Sequence, residues 1–182
     1  MSILKFLGLE RPDSQLEDTG TDTETVQRII AELDCLEPDR ARYLAAFAYV
    51  LGRIAHADQH INDNELDLMT HMVQELGHLS KTQALLVVQI SKNQNELFGA
   101  TEDFLVTRQF REIATDVQCR ELLDCVFAIS AADDSISAIE ENRIRQIASE
   151  LGVAHDAYVS ARAAYTDKRD VIRSFRNSAQ SD

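Results

Sequence analysis

Apolar residues in this chain recur at helical spacing through most of its length, and no stretch alternates with a period of two. Val26, Ile29, Ile30 and Leu33 form one stripe, with Thr23 placed to cap its helix. Glu37-Pro38 opens the next helix, proline being tolerated in a first turn. That helix is apolar almost all round, from Tyr43 through Phe47 and Leu51 to Ile54, and so belongs at the centre of a bundle. Leu66, Met69, Met72, Val73 and Leu76 make a further stripe that Gly77 ends. Ser80 is placed to cap a helix through Leu85, Leu86, Val88 and Ile90.

A second series follows. Thr101 is placed to start a helix through Phe104, Leu105, Phe110 and Ile113, and residues 117–132 form a second central helix. Ile144, Ile147, Ala148 and Leu151 carry the next stripe, Gly152 stops it, and a last helix is expected from His155 to Arg176. The pattern predicts an all-α fold, a single bundle of seven or eight helices. Residues 1–22 read as a flexible N-terminal segment with a short amphipathic start, 23–176 as the helical domain and 177–182 as a disordered tail.

The two series are related. Ala57-Asp58-Gln59-His60-Ile61-Asn62-Asp63-Asn64-Glu65 returns as Ala132-Asp133-Asp134-Ser135-Ile136-Ser137-Ala138-Ile139-Glu140, 75 positions later. The same offset relates Ile54 to Ile129 and Glu75-Leu76-Gly77 to Glu150-Leu151-Gly152. The bundle therefore reads as an internal duplication of a helix–loop–helix unit. In each copy a polar cap residue, Asn62 or Ser137, stands three positions before Glu65 or Glu140, which is the pattern of a capping box. Ile61 and Ile136 are placed as apolar plugs beneath the loops.

Asp58 and Asp133 have no such ready explanation. Each follows a long helix, where the macrodipole is negative and a carboxylate is disfavoured by roughly 0.3–1 kcal/mol. An Asx-turn onto the backbone two residues on is one compensation. A divalent cation or a basic partner is the other. Asp58, Glu65, Asp133 and Glu140 are thus the candidate oxygen ligands, and Ca²⁺, Mg²⁺ or Mn²⁺ the candidate ions. An EF-hand is excluded, because with Asp58 at position 1, Asp63 stands where glycine is required and Met69 where the bidentate glutamate is. His56 and His60 have the i, i+4 spacing of zinc ligands, but Ala131 and Ser135 replace them in the other copy.

The formal net charge of −13 argues against nucleic acid as a partner, since binding there depends on neutralising phosphates. The charge is uneven: ten acids lie within residues 10–39, whereas Arg162, Lys168, Arg169, Arg173 and Arg176 make the end basic. Either end is a candidate surface for a protein partner. Three cysteines, Cys35, Cys119 and Cys125, without a CxxC, read as structural thiols in a reducing compartment, with Cys35 and Cys125 among apolar neighbours. No apolar run is long enough for a membrane span, so the expected location is cytoplasmic, with peripheral contact through residues 1–9 open. No GxSxG, glycine-rich phosphate loop or HExxH is present, and the expectation is a protein without catalytic activity.

The duplicated pattern Ala-Asp-x-x-Ile-x-x-x-Glu after an apolar helix, followed by an apolar stripe and Glu-Leu-Gly, resembles the TerB-like family. These are tellurite-resistance-associated proteins related to the N-terminal domain of a membrane-anchored DnaJ-type co-chaperone. The likeness covers residues from about 25 to 165. It implies an all-helical, internally duplicated fold and a role in bacterial stress or tellurite resistance, as a metal-binding or scaffold module near the membrane. It also implies that Asp58, Glu65, Asp133 and Glu140 are the acidic family positions. Where the family often has glycine after the aspartate, this chain has Gln59 and Asp134.

Overall fold

The computed structural model describes residues 20–55, 63–93, 103–132 and 135–166. Among them are eight α-helices and no strand: α1 (Gly20–Asp34), α2 (Pro38–Ala55), α3 (Asp63–Leu76), α4 (Lys81–Lys92), α5 (Asp103–Ile113), α6 (Asp116–Ser130), α7 (Ala138–Glu150) and α8 (His155–Ala164). The all-α expectation is met. Helix α1 starts at Gly20, one turn before the anticipated cap Thr23. The last helix closes at Ala164, with Tyr165 as its C-cap, and does not run unbroken to Arg176.

Helix α2 is the centre, as its sequence demands. Its Ala41, Leu44, Ala45, Ala46, Phe47, Ala48, Val50 and Leu51 are all fully buried. The alanines present a thin helix that lets neighbours approach on every side, and α1, α4, α5, α6 and α7 all pack on it. Phe47 and Phe110 meet edge to face with centroids 6.0 Å apart, and Tyr43 joins them at 5.4 Å from Phe110. Each fully buried aromatic here contributes about 1.5–3 kcal/mol from lost water contact. Burial also pushes the Tyr43 hydroxyl well above its ordinary range, against the pull of nearby Arg40.

The second centre is α6, with Cys119, Leu122, Leu123, Cys125, Val126 and Phe127 buried. Its start carries a box the sequence reading passed over. Thr115 Oγ1 accepts from Gln118 N–H at 3.2 Å, while Thr115 N–H donates to Gln118 Oε1 at 2.8 Å. The anticipated Ser80 cap is present on α4, accepting from Gln83 N–H at 3.3 Å.

Helix bounds keep the offset of the sequence repeat: α2 and α6 end at Ala55 and Ser130, and α3 and α7 start at Asp63 and Ala138. The packing is crossed. Helix α3 lies on α6 of the other half, and α7 lies on both α6 and α2, so the stripe helices join the two halves.

The two stops differ. Gly152 is left-handed, at φ 65°, and closes a Schellman motif in which Val153 N–H reaches Ala148 O and Gly152 N–H reaches Ser149 O. In the first half the left-handed residue is His78, at φ 49°, and Gly77 is not. Gly77 is required for another reason. A Cβ there would stand 2.7 Å from Val73 O, 3.2 Å from Phe47 Cζ and 3.5 Å from Cys125 Sγ. It is a point of close approach among α3, α2 and α6.

Candidate functional site

The second acidic loop is the better defined. Helix α6 ends at Ser130, and the turn is closed by Ala131 N–H to Phe127 O at 3.0 Å and Ala132 N–H to Ile129 O at 3.1 Å. Ile136 is buried, as expected of a plug. Ser137, at φ −70° and ψ 162°, then caps α7. Its Oγ accepts from Glu140 N–H at 3.2 Å, and its own N–H donates to Glu140 Oε2 at 2.8 Å. The capping box inferred from Ser137-x-x-Glu140 is complete. Two N–H groups that would otherwise be orphaned at the helix start are satisfied.

Glu140 therefore has a structural use, with Oε2 engaged by the backbone. Of the other candidate ligands, Asp58 and Asp133 lie outside the described residues. Glu65 falls in the first turn of α3. Among the described residues, no group of three or more His, Cys, Asp or Glu is arranged to hold a metal ion. His56, His60 and the cap Asn62 also lie outside the described residues. His71, His78 and His155 are exposed.

What the sequence reading missed is a pair of interior charges. Arg53, in the last turn of α2, places Nη1 2.6 Å from Glu150 Oε2 and 2.7 Å from Thr107 Oγ1 on α5. Its side chain is 6% exposed and that of Glu150 11%. Gln146 Nε2 donates to the other carboxylate oxygen at 2.8 Å. Burial alone would raise the Glu150 carboxyl, but the hydrogen bonds from Arg53 and Gln146 and the Arg53 charge prevail and hold it below the usual range. A carboxylate in the last turn of α7 opposes the helix dipole, and Arg53 is the compensation. Meanwhile Arg143 Nη1 lies 3.5 Å from Arg53 O, one of the last carbonyls of α2. The end of α2, from which the first acidic segment departs, is thus held by α7.

The one available signal was an arginine in the otherwise apolar stretch 43–55 of α2. The repeat gave no help, because Ala128 stands at the position equivalent to Arg53. Glu75, the equivalent of Glu150, is exposed.

Glu141 is the second interior carboxylate. It accepts from Arg162 of α8 and lies 3.8 Å from Arg145 Nη2. Both ends of the second loop are therefore anchored, one by the α6 turn and one by α7 held to α8.

The thiols are of two kinds, buried and exposed. Cys119 and Cys125 are buried, and burial pushes the Cys125 thiol up to about 12, with Asp124 and Glu121 adding to it. Cys119 is raised by burial too, in spite of neighbouring Arg111. Such thiols are protonated and unreactive. Cys35 is exposed, contrary to the buried setting its apolar neighbours suggested, because it lies just past the end of α1.

The fold and its loops define a class: an all-helical protein with two helix–loop–helix units of matched spacing, each with an aspartate just past its central helix. The family model described as tellurite resistance protein TerB matches residues 43–163, and the chain belongs to that family. No curated protein and no solved structure matches it. Among the described residues, no helix is long and apolar enough to cross a membrane.

Proposed function

We propose that this chain is a non-enzymatic module of bacterial tellurite resistance or a related stress response, acting in the cytoplasm and binding a divalent cation through its acidic loops. Asp58 and Asp133 are the principal ligands in this reading, with Glu65 and Glu140 beside them. The observation that carries it is one of position. Central helices α2 and α6 end at Ala55 and Ser130, and an aspartate follows each by three residues, where the helix dipole disfavours negative charge. A hard cation would turn that penalty into a gain, and oxygen ligands suit Ca²⁺, Mg²⁺ or Mn²⁺. Glu140 is the least available of the four to an ion, since Oε2 already serves Ser137 N–H.

Calorimetric titration of the full chain with each ion tests this. Saturable binding is expected, and Asp58→Asn with Asp133→Asn should abolish it. Absence of heat with all three ions in the unsubstituted chain would remove the cation from the proposal.

A second reading is an adaptor that recognises a protein without metal. It is favoured by apolar side chains left in solvent, Ile139 at 70% exposure and Phe104 at 52%. In that reading Asp133→Asn leaves partner capture intact, whereas Ile139→Asp or Phe104→Asp abolishes it.

A further inference from the structure

We infer that the junction of α6, α7 and α8 contains a buried hydration site, formed by Ser130, Tyr158 and Arg162 at the foot of the second acidic loop. Three side-chain atoms there, Ser130 Oγ, Tyr158 OH and Arg162 Nε, are buried and meet no hydrogen-bond partner among the described residues. Ser130 and Tyr158 are themselves more than nine-tenths buried.

The contacts tie these groups to one junction. Phe127 of α6 lies against Tyr158 at 5.9 Å between centroids and stacks on Tyr165 at 5.7 Å, so this side of α6 faces α8. Ser130 is one helical turn further along the same face as Phe127. Tyr158 and Arg162 are one turn apart on α8. Arg162 in turn donates to Glu141 in the first turns of α7.

Ser130 is unlike the buried helical hydroxyls Ser91 and Thr70. Ser91 settles its burial by donating towards Ala48 O at 2.8 Å and Val87 O at 3.0 Å, and Thr70 donates to Leu66 O at 2.8 Å. Each bonds the carbonyl four residues back, the usual resort of a helical hydroxyl. Ser130 does not, so its hydroxyl serves some other group. Buried polar atoms are ordinarily satisfied, and where protein groups are lacking an ordered water with two to four polar contacts is the common solution. Two hydroxyls can each donate or accept, and a guanidinium N–H donates, which together supply three of the four hydrogen bonds one water can make. Through it α8 would brace Ser130, where the chain leaves α6 for the loop, as it braces Glu141 on the far side.

Near-isosteric deletions in the full-length chain distinguish a satisfied hydroxyl from an orphaned one by the sign of the effect. If water bridges these groups, Tyr158→Phe and Ser130→Ala each strand a partner and lower the Tm by several degrees. If the hydroxyl is orphaned, Tyr158→Phe removes a desolvation penalty and raises the Tm or leaves it unchanged, which would overturn the inference. A high-resolution crystal structure supplies the independent check. Density for a solvent molecule within hydrogen-bond reach of both Ser130 Oγ and Tyr158 OH supports the site, and empty density there overturns it whatever the Tm does.

Discussion

Arg53 and Glu150 are 97 residues apart in sequence and 2.6 Å apart in space, joining the end of the first central helix to the end of the second stripe helix. Breaking such a pair leaves one charge buried without its partner, at a cost of about 3–5 kcal/mol. Arg53→Ala and Glu150→Ala should both show a loss of that order in urea unfolding, and the double variant should lose much less than the two combined.

The same pair sets a dependence on pH. The folded-state carboxyl of Glu150 lies below its ordinary value, so its contribution is fully present above the unfolded-state value. It fades as pH falls through the ordinary glutamate range and is lost below the folded-state value. Glu150→Gln should therefore be less stable than the parent at pH 7. The two curves should converge in acid. Parallel curves across that range would show that the ion pair is not the source.

Two glycines should respond differently to substitution. Gly77→Ala forces a methyl against Val73 O and Phe47 and should destabilise by about 1–3 kcal/mol. Gly152→Ala brings a methyl 3.3 Å from Arg111 Nε, a side chain that can give way, but on a left-handed backbone, costing about 1 kcal/mol, and Gly152→Asn should recover part of that. His78→Gly, which relieves the left-handed residue of the first half, should stabilise. Thermal unfolding ranks the four variants.

Thiol labelling separates the cysteines. In the native protein one thiol, Cys35, should react promptly with a soluble disulfide reagent, while Cys119 and Cys125 wait for unfolding. Cys35→Ser should abolish the prompt phase altogether.

Ser137→Ala should cost about 1 kcal/mol by removing the cap of α7, and Glu140→Gln much less, because an amide oxygen still accepts from Ser137 N–H. If Glu140 also ligates a cation, Glu140→Gln will weaken ion binding with little loss of Tm, and the two measurements together divide its roles.

Most of the architecture was readable because it rests on local rules. The stripe through Ile144, Ile147, Ala148 and Leu151 and the box at Ser137 and Glu140 depend only on neighbours within one turn or two. Both are found as read. The Thr115–Gln118 box uses the same chemistry and was missed, since glutamine there had no repeat to mark it. By the local rule Gly77 is a helix stop and nothing more. Its real constraint is crowding, from Val73 O four positions back and from Phe47, 30 positions away, and no local pattern displays the second. The Arg53–Glu150 pair was illegible for a similar reason: partners so distant in sequence become a pair only once α7 lies on α2. As for the candidate ligands, Glu140 is engaged as the capping box required, while Asp58 and Asp133 lie beyond the described residues.

The crossed packing has a consequence for how the chain reaches its fold. Helical bundles fold fast when their contacts are local. Here α2 is covered by α4 of its own half but also by α5 and α7 of the other, and α6 is covered by α3 of the first half as well as by α7 and α8, so both central helices are completed only across long intervening chain. Synthesis of the first half alone leaves the apolar circumference of α2 incompletely covered until α5 and α7 have been made. A nick between α4 and α5 would yield two fragments that are each insoluble or molten alone and that assemble when mixed. Two chains could exchange the same halves and arrive at an interlocked dimer.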